Sequence, residues 1–171
     1  MKINIFVPCF IDQLFPQTAI NMVKILRQLK CEVHYNPSQT CCGQAAYNAG
    51  FSDAAKEVAH KFLQDFDDDT YIVAPSASCV AFVQNYYQNI LEKGSPEQKK
   101  AKKIAAKIYE FSDFLVNIIK INHFKAQFQA TATYHDSCSA LRECGIKTAP
   151  RHLLEQVKGL SLQESPNCEV C

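Results

Sequence analysis

The chain has 171 residues, 47% hydrophobic and 20% charged, enough for one cored domain or two small half-domains, which excludes a disordered tail. Eighteen basic residues against seventeen acidic leave a net charge of +1, which removes any electrostatic case for nucleic acid or an anionic membrane as partner. The outlier is nine cysteines (9, 31, 41, 42, 79, 138, 144, 168 and 171) beside no tryptophan.

In chain order, Ile3 to Val7 is a short apolar run that predicts a buried parallel strand. Pro16 to Lys30 carries Ile20, Val23, Leu26 and Leu29 near helical spacing, and Cys31 to Tyr35 alternates as a second strand. Ser52 is expected to cap a helix whose stripe is Ala55, Val58, Ala59, Phe62 and Phe66. Asp67-Asp68-Asp69 lacks calcium-loop spacing and is read as a solvated loop. Tyr71 to Ala74 predicts the third strand and Val80 to Leu91 the third helix.

Gly94-Ser95-Pro96-Glu97-Gln98 has the cap, the first-position proline and the glutamine of a capping box. A long helix over 96–120 follows, its apolar face Ala101, Ile104, Ala105, Ile108, Leu115 and Ile118. Its five lysines at 99, 100, 102, 103 and 107 are read as a solvated face rather than a binding patch. Thr131 to His135 predicts a fourth strand, Pro150 to Lys158 a helix, and Leu160 to Leu162 a fifth strand. Strands alternating with helices imply an α/β fold of two related βαβ-type halves with parallel sheet. The expected division is 1–94 for the first half, 95–130 for a connecting helix and loop, and 131–171 for the start of the second.

The N-terminus has too short an apolar run for a signal peptide, and no stretch approaches the length of a transmembrane helix. Disulfide frameworks belong to secreted, core-poor chains. A cytoplasmic chain with reduced thiols is the expectation, where clustered cysteines bind metal or do redox chemistry.

Open parallel sheets bind ligands beyond the carboxyl ends of their strands. On the predicted strands, Cys9, Cys41-Cys42, Cys79 and Cys138 each follow a strand exit, whereas Cys31 opens a strand at the opposite edge and is read as a core thiol. Between Cys9 and Cys41 lie 31 residues, and between Cys42 and Cys79 lie 36. Adjacent cysteines pair poorly with each other but can serve one polynuclear centre, and Gly43 beside them lets the backbone approach it. Thiolate sets select zinc or iron–sulfur clusters, and the paired CxxC knuckles usual for structural zinc are absent from the sequence. A partial second copy begins at Cys138, with 32 residues between it and Cys171. Leu154-Glu155-Gln156-Val157-Lys158 echoes Leu26-Arg27-Gln28-Leu29-Lys30. Because the second motif stops at Cys171, the chain is read as a fragment.

The elements Cys9, Cys41-Cys42-Gly43 and Ser76-Ala77-Ser78-Cys79 resemble the cysteine-rich CCG-domain iron–sulfur family. That family includes the B subunit of heterodisulfide reductase, the iron–sulfur subunit of glycolate oxidase and lactate-utilisation protein A. The text flanking these motifs, from Thr40 to Gly50 and Pro75 to Cys79, is most similar to the lactate-utilisation members, and the resemblance spans essentially the whole chain. It implies electron transfer during oxidation of L-lactate or glycolate to the 2-keto acid. The implied partners are other subunits of such a complex, ferredoxin-like iron–sulfur and flavin or quinone-linked proteins. Ser76 stands where the family's CxxC motif has its first cysteine. The implied ligands are therefore Cys9, Cys41, Cys42 and Cys79, enough for a [4Fe–4S] cluster, while a five-cysteine cluster would need Ser76 or Cys144. Cys138 and Cys171 are the expected partial ligands of a second site.

The rival class is a zinc-binding or thiol-redox module using the same cysteines. No G-x-G-x-x-G fingerprint follows a strand, so hydride chemistry is expected on a partner. His135-Asp136 is open between a relay or ligand pair and a turn capped by Asp136 or Ser137 with His135 ending the strand, the cap favoured. Arg142 and Lys147 are read as exposed helix-end cations, and Cys168 as a neighbour of the second site. Cys144 is open between accessory ligand and inert thiol. The remaining histidines follow no ligand spacing, and the phenylalanines and tyrosines at helical intervals are assigned to the core.

Overall fold

The computed structural model describes residues 1–121, 123 and 125–170. It divides into two compact units, Met1–Phe111 and Ser112–Cys171. The predicted α/β class is present: the first unit is built on a four-stranded sheet of order β2-β1-β3-β4, every pairing parallel.

Strand β1 (Lys2–Ile5) lies centrally, with Ile3 opposite Val33 of β2 (Glu32–Tyr35) and Tyr71 of β3 (Tyr71–Ala74). Between β1 and β2 run the short helix α1 (Cys9–Leu14) and α2 (Pro16–Gln28), and between β2 and β3 run α3 (Gln44–Asn48) and α4 (Ser52–Asp65). Because β2 and β3 flank β1 on opposite sides, the chain reverses its direction of winding beside β1. The crevice outside the strand ends at such a reversal is where open α/β sheets take their ligands.

Side chains alternate along β1. Phe6, just past it, meets Phe62 and Phe66 of α4 with ring centroids 5.0 and 5.9 Å apart, while Ile3 and Ile5 are buried on the other face. Edge-to-face pairs of this kind contribute roughly 0.5–1.5 kcal/mol each beyond their buried area. Asn4 is the buried polar exception in β1. Its Nδ2 donates to Asp68 Oδ1 and Thr70 Oγ1, both at 2.6 Å, and its Oδ1 meets His34 Nδ1 at 3.0 Å. Three elements are thereby tied at the amino edge of the sheet. Asn4→Ala should cost about 1–2 kcal/mol, since it deletes the bonds of a buried side chain, and urea denaturation measures it.

Several sequence expectations shift. Strand β1 stops at Ile5 rather than Val7, because the Val7 N–H donates to Gln39 Oε1 at 2.7 Å instead of to a ladder partner. Ser52 is the first residue of α4 and not its cap; Phe51 precedes it, and its carbonyl accepts from the Ala55 N–H at 3.0 Å. The helix expected over 80–91 begins earlier and breaks, as α5 (Ala77–Asn85) and α6 (Tyr87–Ile90). The capping box at Ser95 forms: its hydroxyl accepts from the Gln98 N–H at 3.1 Å, and Gln98 Oε1 accepts from the Gly94 N–H at 2.9 Å.

The helix so capped, α7 (Pro96–Ala105), is far shorter than 96–120. Ile108–Glu110 forms β4, with Ile108 opposite Ile72. Ile104 and Ile108 share helical spacing, but two β-branched and aromatic positions beside a buried parallel edge gain more from the ladder. Of the lysines, Lys100 pairs with Asp67 and Lys107 with Asp69, so this face is a solvated one with exposed ion pairs worth little each.

The second unit opens with α8 (Phe111–Asp113, its first residue in the first unit) and a π-helical turn, Phe114–Ile118. Strand β5 (Gln127–Ala132) pairs parallel with β6 (Lys158–Leu162) across α9 (Thr148–Glu155). The strand expected at 131–135 is thus displaced toward the N-terminus, and His135 is exposed outside it. Phe10, Phe15, Phe51 and Phe128, which lie outside the predicted helices, are exposed. Among the described residues no helix is long and apolar enough to cross a membrane.

Candidate metal centre

Three strand exits of the four-stranded sheet carry thiols. Cys9 is the first residue of α1 after β1, Cys41-Cys42 lead into α3 after β2, and Cys79 lies in the first turn of α5 after β3. The expected fourth exit is not on this edge: Cys138 follows β5, which belongs to the separate two-stranded sheet. Cys31 behaves as expected of a core thiol, buried before β2 at the amino edge, its thiol donating to the Leu29 carbonyl at 4.0 Å.

The four thiols form a connected chain. Cys9 Sγ donates to Cys41 Sγ at 3.6 Å, and Cys42 hydrogen-bonds with both Cys41 and Cys79. Exposure falls along it, from exposed Cys9 through half-buried Cys41 to buried Cys42 and Cys79. As the donor to two neighbours and the most deeply buried of the four, Cys42 has its thiol pushed far above the usual range. Its bonds, with an amide N–H from Gly43, pull Cys41 down to about 5, and the bond from Cys42 lowers Cys79 to about 7. Burial, followed by the bond to Cys41, raises Cys9. Cys41 is therefore a thiolate near neutrality and Cys79 partly so, the form in which sulfur binds metal.

Backbone and neighbours are shaped around these sulfurs. Gly43 sits at φ +90, and its N–H reaches Cys41 Sγ at 3.3 Å. A Cβ there would meet the Ala55 carbonyl and the Val58 side chain at 3.3 Å. Gly43→Ala should therefore lower the unfolding free energy of the metal-free chain by about 1–2 kcal/mol from the left-handed backbone alone, read by thermal denaturation. The Ser76 hydroxyl lies 3.3 Å from the Ser78 hydroxyl, and both hydroxyls bond the Cys79 sulfur.

Two supporting residues carry no signature in the sequence. Tyr87 is fully buried and donates its hydroxyl to the Cys42 carbonyl at 2.7 Å. Burial keeps that phenol protonated, so it remains a donor. Gln39 accepts from the Val7 N–H and donates to the carbonyls of Ile5 and Asn36, at 3.3 and 3.0 Å, clamping the β1 exit to the loop that carries Cys41. In a sequence, a tyrosine in an apolar helix and a glutamine in a polar loop look like any other.

Four neighbouring thiols linked in a chain, with an amide N–H directed at one of them, suit a thiophilic metal ion or an iron–sulfur cluster. The donor chemistry fits such a group, and nothing bulky stands at Gly43.

In the second unit the outcome differs. Cys138 is exposed at the start of the π-helical turn Ser139–Glu143, Cys144 ends that turn, and Cys171 lies outside the described residues. Asp136, Cys168 and Glu169 bring ligand-type atoms within 4.8 Å of one another, a grouping the sequence did not suggest. Its carboxylates are already engaged. Asp136 is held by Arg151 through two bonds of 2.8 and 2.6 Å, and Glu169 pairs with Lys147. Of the two expected caps, Ser137 is the one that forms, its hydroxyl accepting from the Ala140 N–H at 3.2 Å.

Residues 3–84 match the family described as Cysteine-rich domain, CCG. Over all 171 residues the chain is 42% identical to Lactate utilization protein A of Halalkalibacterium halodurans, covering 70% of that protein. It is 40% identical, again over its full length, to Lactate utilization protein A 2 of Bacillus cereus and to Lactate utilization protein A 1 of Bacillus anthracis, covering 71% of each. No solved structure matches the chain. The CCG match ends at residue 84, while the identity to these relatives continues through the second unit. With the thiols of that domain gathered at one sheet edge, the chain belongs to the lactate utilization protein A family.

Proposed function

We propose that this chain is an iron–sulfur electron-transfer subunit of a complex that oxidises L-lactate, or glycolate, to the corresponding 2-keto acid. The observation that carries the reading is the meeting of Cys9, Cys41, Cys42 and Cys79 at three strand exits beside the reversal of winding. The names of the relatives, Lactate utilization protein A, supply the substrate side.

In this reading the four thiolates hold a [4Fe–4S] cluster, which supplies one-electron storage when bound. The chain's own residues do the rest. Cys42 and Cys79 anchor the buried side, Cys9 and Cys41 the accessible side, and Tyr87 and Gln39 keep the Cys-Cys loop in register with β1. The Gly43 N–H stabilises negative charge on the Cys41 sulfur. Removal of hydride from the 2-hydroxy acid falls to a flavin-bearing partner subunit, with a ferredoxin-like partner alongside. Cys138, and Cys171 beyond the described residues, are proposed ligands of a second site. Reduced thiols suit a cytoplasmic setting.

The test is anaerobic reconstitution of the chain with iron and sulfide, followed by metal and sulfide analysis and electron paramagnetic resonance of the dithionite-reduced sample. Four irons per chain or more, with a cluster signal, is the expected result. Stoichiometric zinc with no cluster signal under those conditions overturns the reading in favour of a zinc module.

A further inference from the structure

Beside the accessible thiols the first unit holds a cavity in two parts. The smaller, about 120 Å³, is walled by Cys9 and Cys41 together with Asp12, Tyr35 and Thr40. The larger, about 500 Å³, runs between α2 and strands β1 and β2, and its walls are mostly apolar, with Ile5, Ala19, Ile20 and Val23 among them. The two share Val7, Asp12 and Tyr35 and so adjoin one another.

Their chemistry differs in a way that describes a ligand. The small chamber is close to the size that admits a single six-membered ring, since a cavity of about 150 Å³ holds benzene. Among the described residues, the Tyr35 and Thr40 hydroxyls on its wall have no protein hydrogen-bond partner, leaving two donors for carbonyl oxygens. The groove beyond follows α2 from Pro16 to Arg27, about 16 Å at 1.5 Å per residue. At its far mouth Lys24 and Arg27 contribute aliphatic stems and turn their charges to water. Binding sites of this volume are typically apolar with a few placed polar groups.

We propose that this two-part cavity binds a quinone with an apolar side chain, its ring in the chamber against Cys9 and Cys41 and its tail along the groove under α2. The inference deepens the proposed function, on which it rests for the source of electrons, by naming the acceptor class. The balance closes: oxidation of a 2-hydroxy acid releases two electrons and two protons, and a quinone takes up two of each as its two carbonyls become hydroxyls. An acceptor seated here contacts the accessible pair of thiols and is excluded from the buried pair.

The probe is a 1,4-benzoquinone bearing one prenyl unit, titrated calorimetrically into the full chain without metal. Saturable 1:1 binding is expected, at least tenfold tighter than for the same ring without its tail. Val23→Trp, which fills the groove, should weaken binding at least tenfold, and Tyr35→Phe several-fold. Lys99→Ala, on α7 and outside both chambers, should leave it unchanged. Should Val23→Trp fail to fold, Ile20→Glu at the half-exposed rim reads the same groove. No saturable binding, insensitivity to the groove variants, or equal binding of a simple long-chain alcohol overturns the proposal. Because no metal is loaded, the result separates from the preceding test. Iron without quinone binding removes the acceptor site alone, and quinone binding without iron removes the electron source alone.

Discussion

Cys42→Ser is expected to abolish metal loading, lowering iron per chain after reconstitution by at least about tenfold, the scale on which even residues behind a ligand set act. Cys42 is 1% exposed and hydrogen-bonds two of the other three thiols, so it is the link through which the set closes. A serine oxygen is a hard donor, poorly matched to thiophilic metals, and its shorter reach opens the chain between Cys41 and Cys79. Cys31→Ser is the matched control: a thiol also in the core of the same strand system, at the opposite edge, whose replacement should leave loading intact. Iron and sulfide analysis of the two variants side by side decides the matter. Loss of iron in Cys31→Ser with retention in Cys42→Ser would mean that the ligands lie at the other end of the sheet.

The largest effect on stability is expected at Arg151. The Asp136 side chain is wholly buried, and its two oxygens are occupied by the Arg151 guanidinium. That bidentate bond holds the Asp136 carboxyl below the usual carboxylate range. The same guanidinium donates to Glu164 at 2.7 and 3.1 Å and to the Lys147 carbonyl at 2.8 Å, and stacks 5.0 Å from the Tyr134 ring centroid. It therefore fastens the loop after β5, the start of α9 and the segment after β6 to one point. Arg151→Ala strands a buried carboxylate and should cost about 3–5 kcal/mol. Arg151→Lys keeps the charge without the fork and should recover only part of that. Pairing Arg151→Met with Asp136→Asn should also recover much of the loss, because no unpaired charge is then left inside. Urea denaturation followed by circular dichroism reads all three, and a cost below 1 kcal/mol for Arg151→Ala would show that water reaches Asp136.

What could be read in advance follows a physical division. The central strands are short apolar runs bounded by turn residues, and Tyr71–Ala74 appears where that pattern puts it. The cysteines were legible because four of them coincide with strand exits, and a sheet edge is a long-range consequence of a local pattern. β4 was not legible, since Ile104 and Ile108 fit a helix as well as they fit a helix followed by a strand; only Ile72 across the sheet separates the two. Tyr87 and Gln39 were invisible for a related reason. Their roles lie in hydrogen bonds to backbone atoms 45 and 32 residues away, and nothing in local spacing encodes such a partner. The reading that placed aromatics at helical intervals in the core did not reach Phe10 and Phe15, which are exposed because α1 is a single turn and a half whose residues are all outside the core.

The spread of the thiols along the chain has a further consequence. Segments of 31 and 36 residues separate the three strand exits that supply them. Any group gripped by all three closes both segments into loops at once, and closure of long loops is paid for entirely in chain entropy. Occupancy would therefore act on the folding equilibrium as mass action, stabilising the first unit by RT ln(1 + [L]/Kd) and fusing β1, β2 and β3 into one cooperative block. An edge strand such as β2, with three of its four residues exposed, would lose its freedom to fray independently. Local opening at that edge, measured by amide hydrogen exchange, thus becomes a gauge of whether the sulfur site is filled.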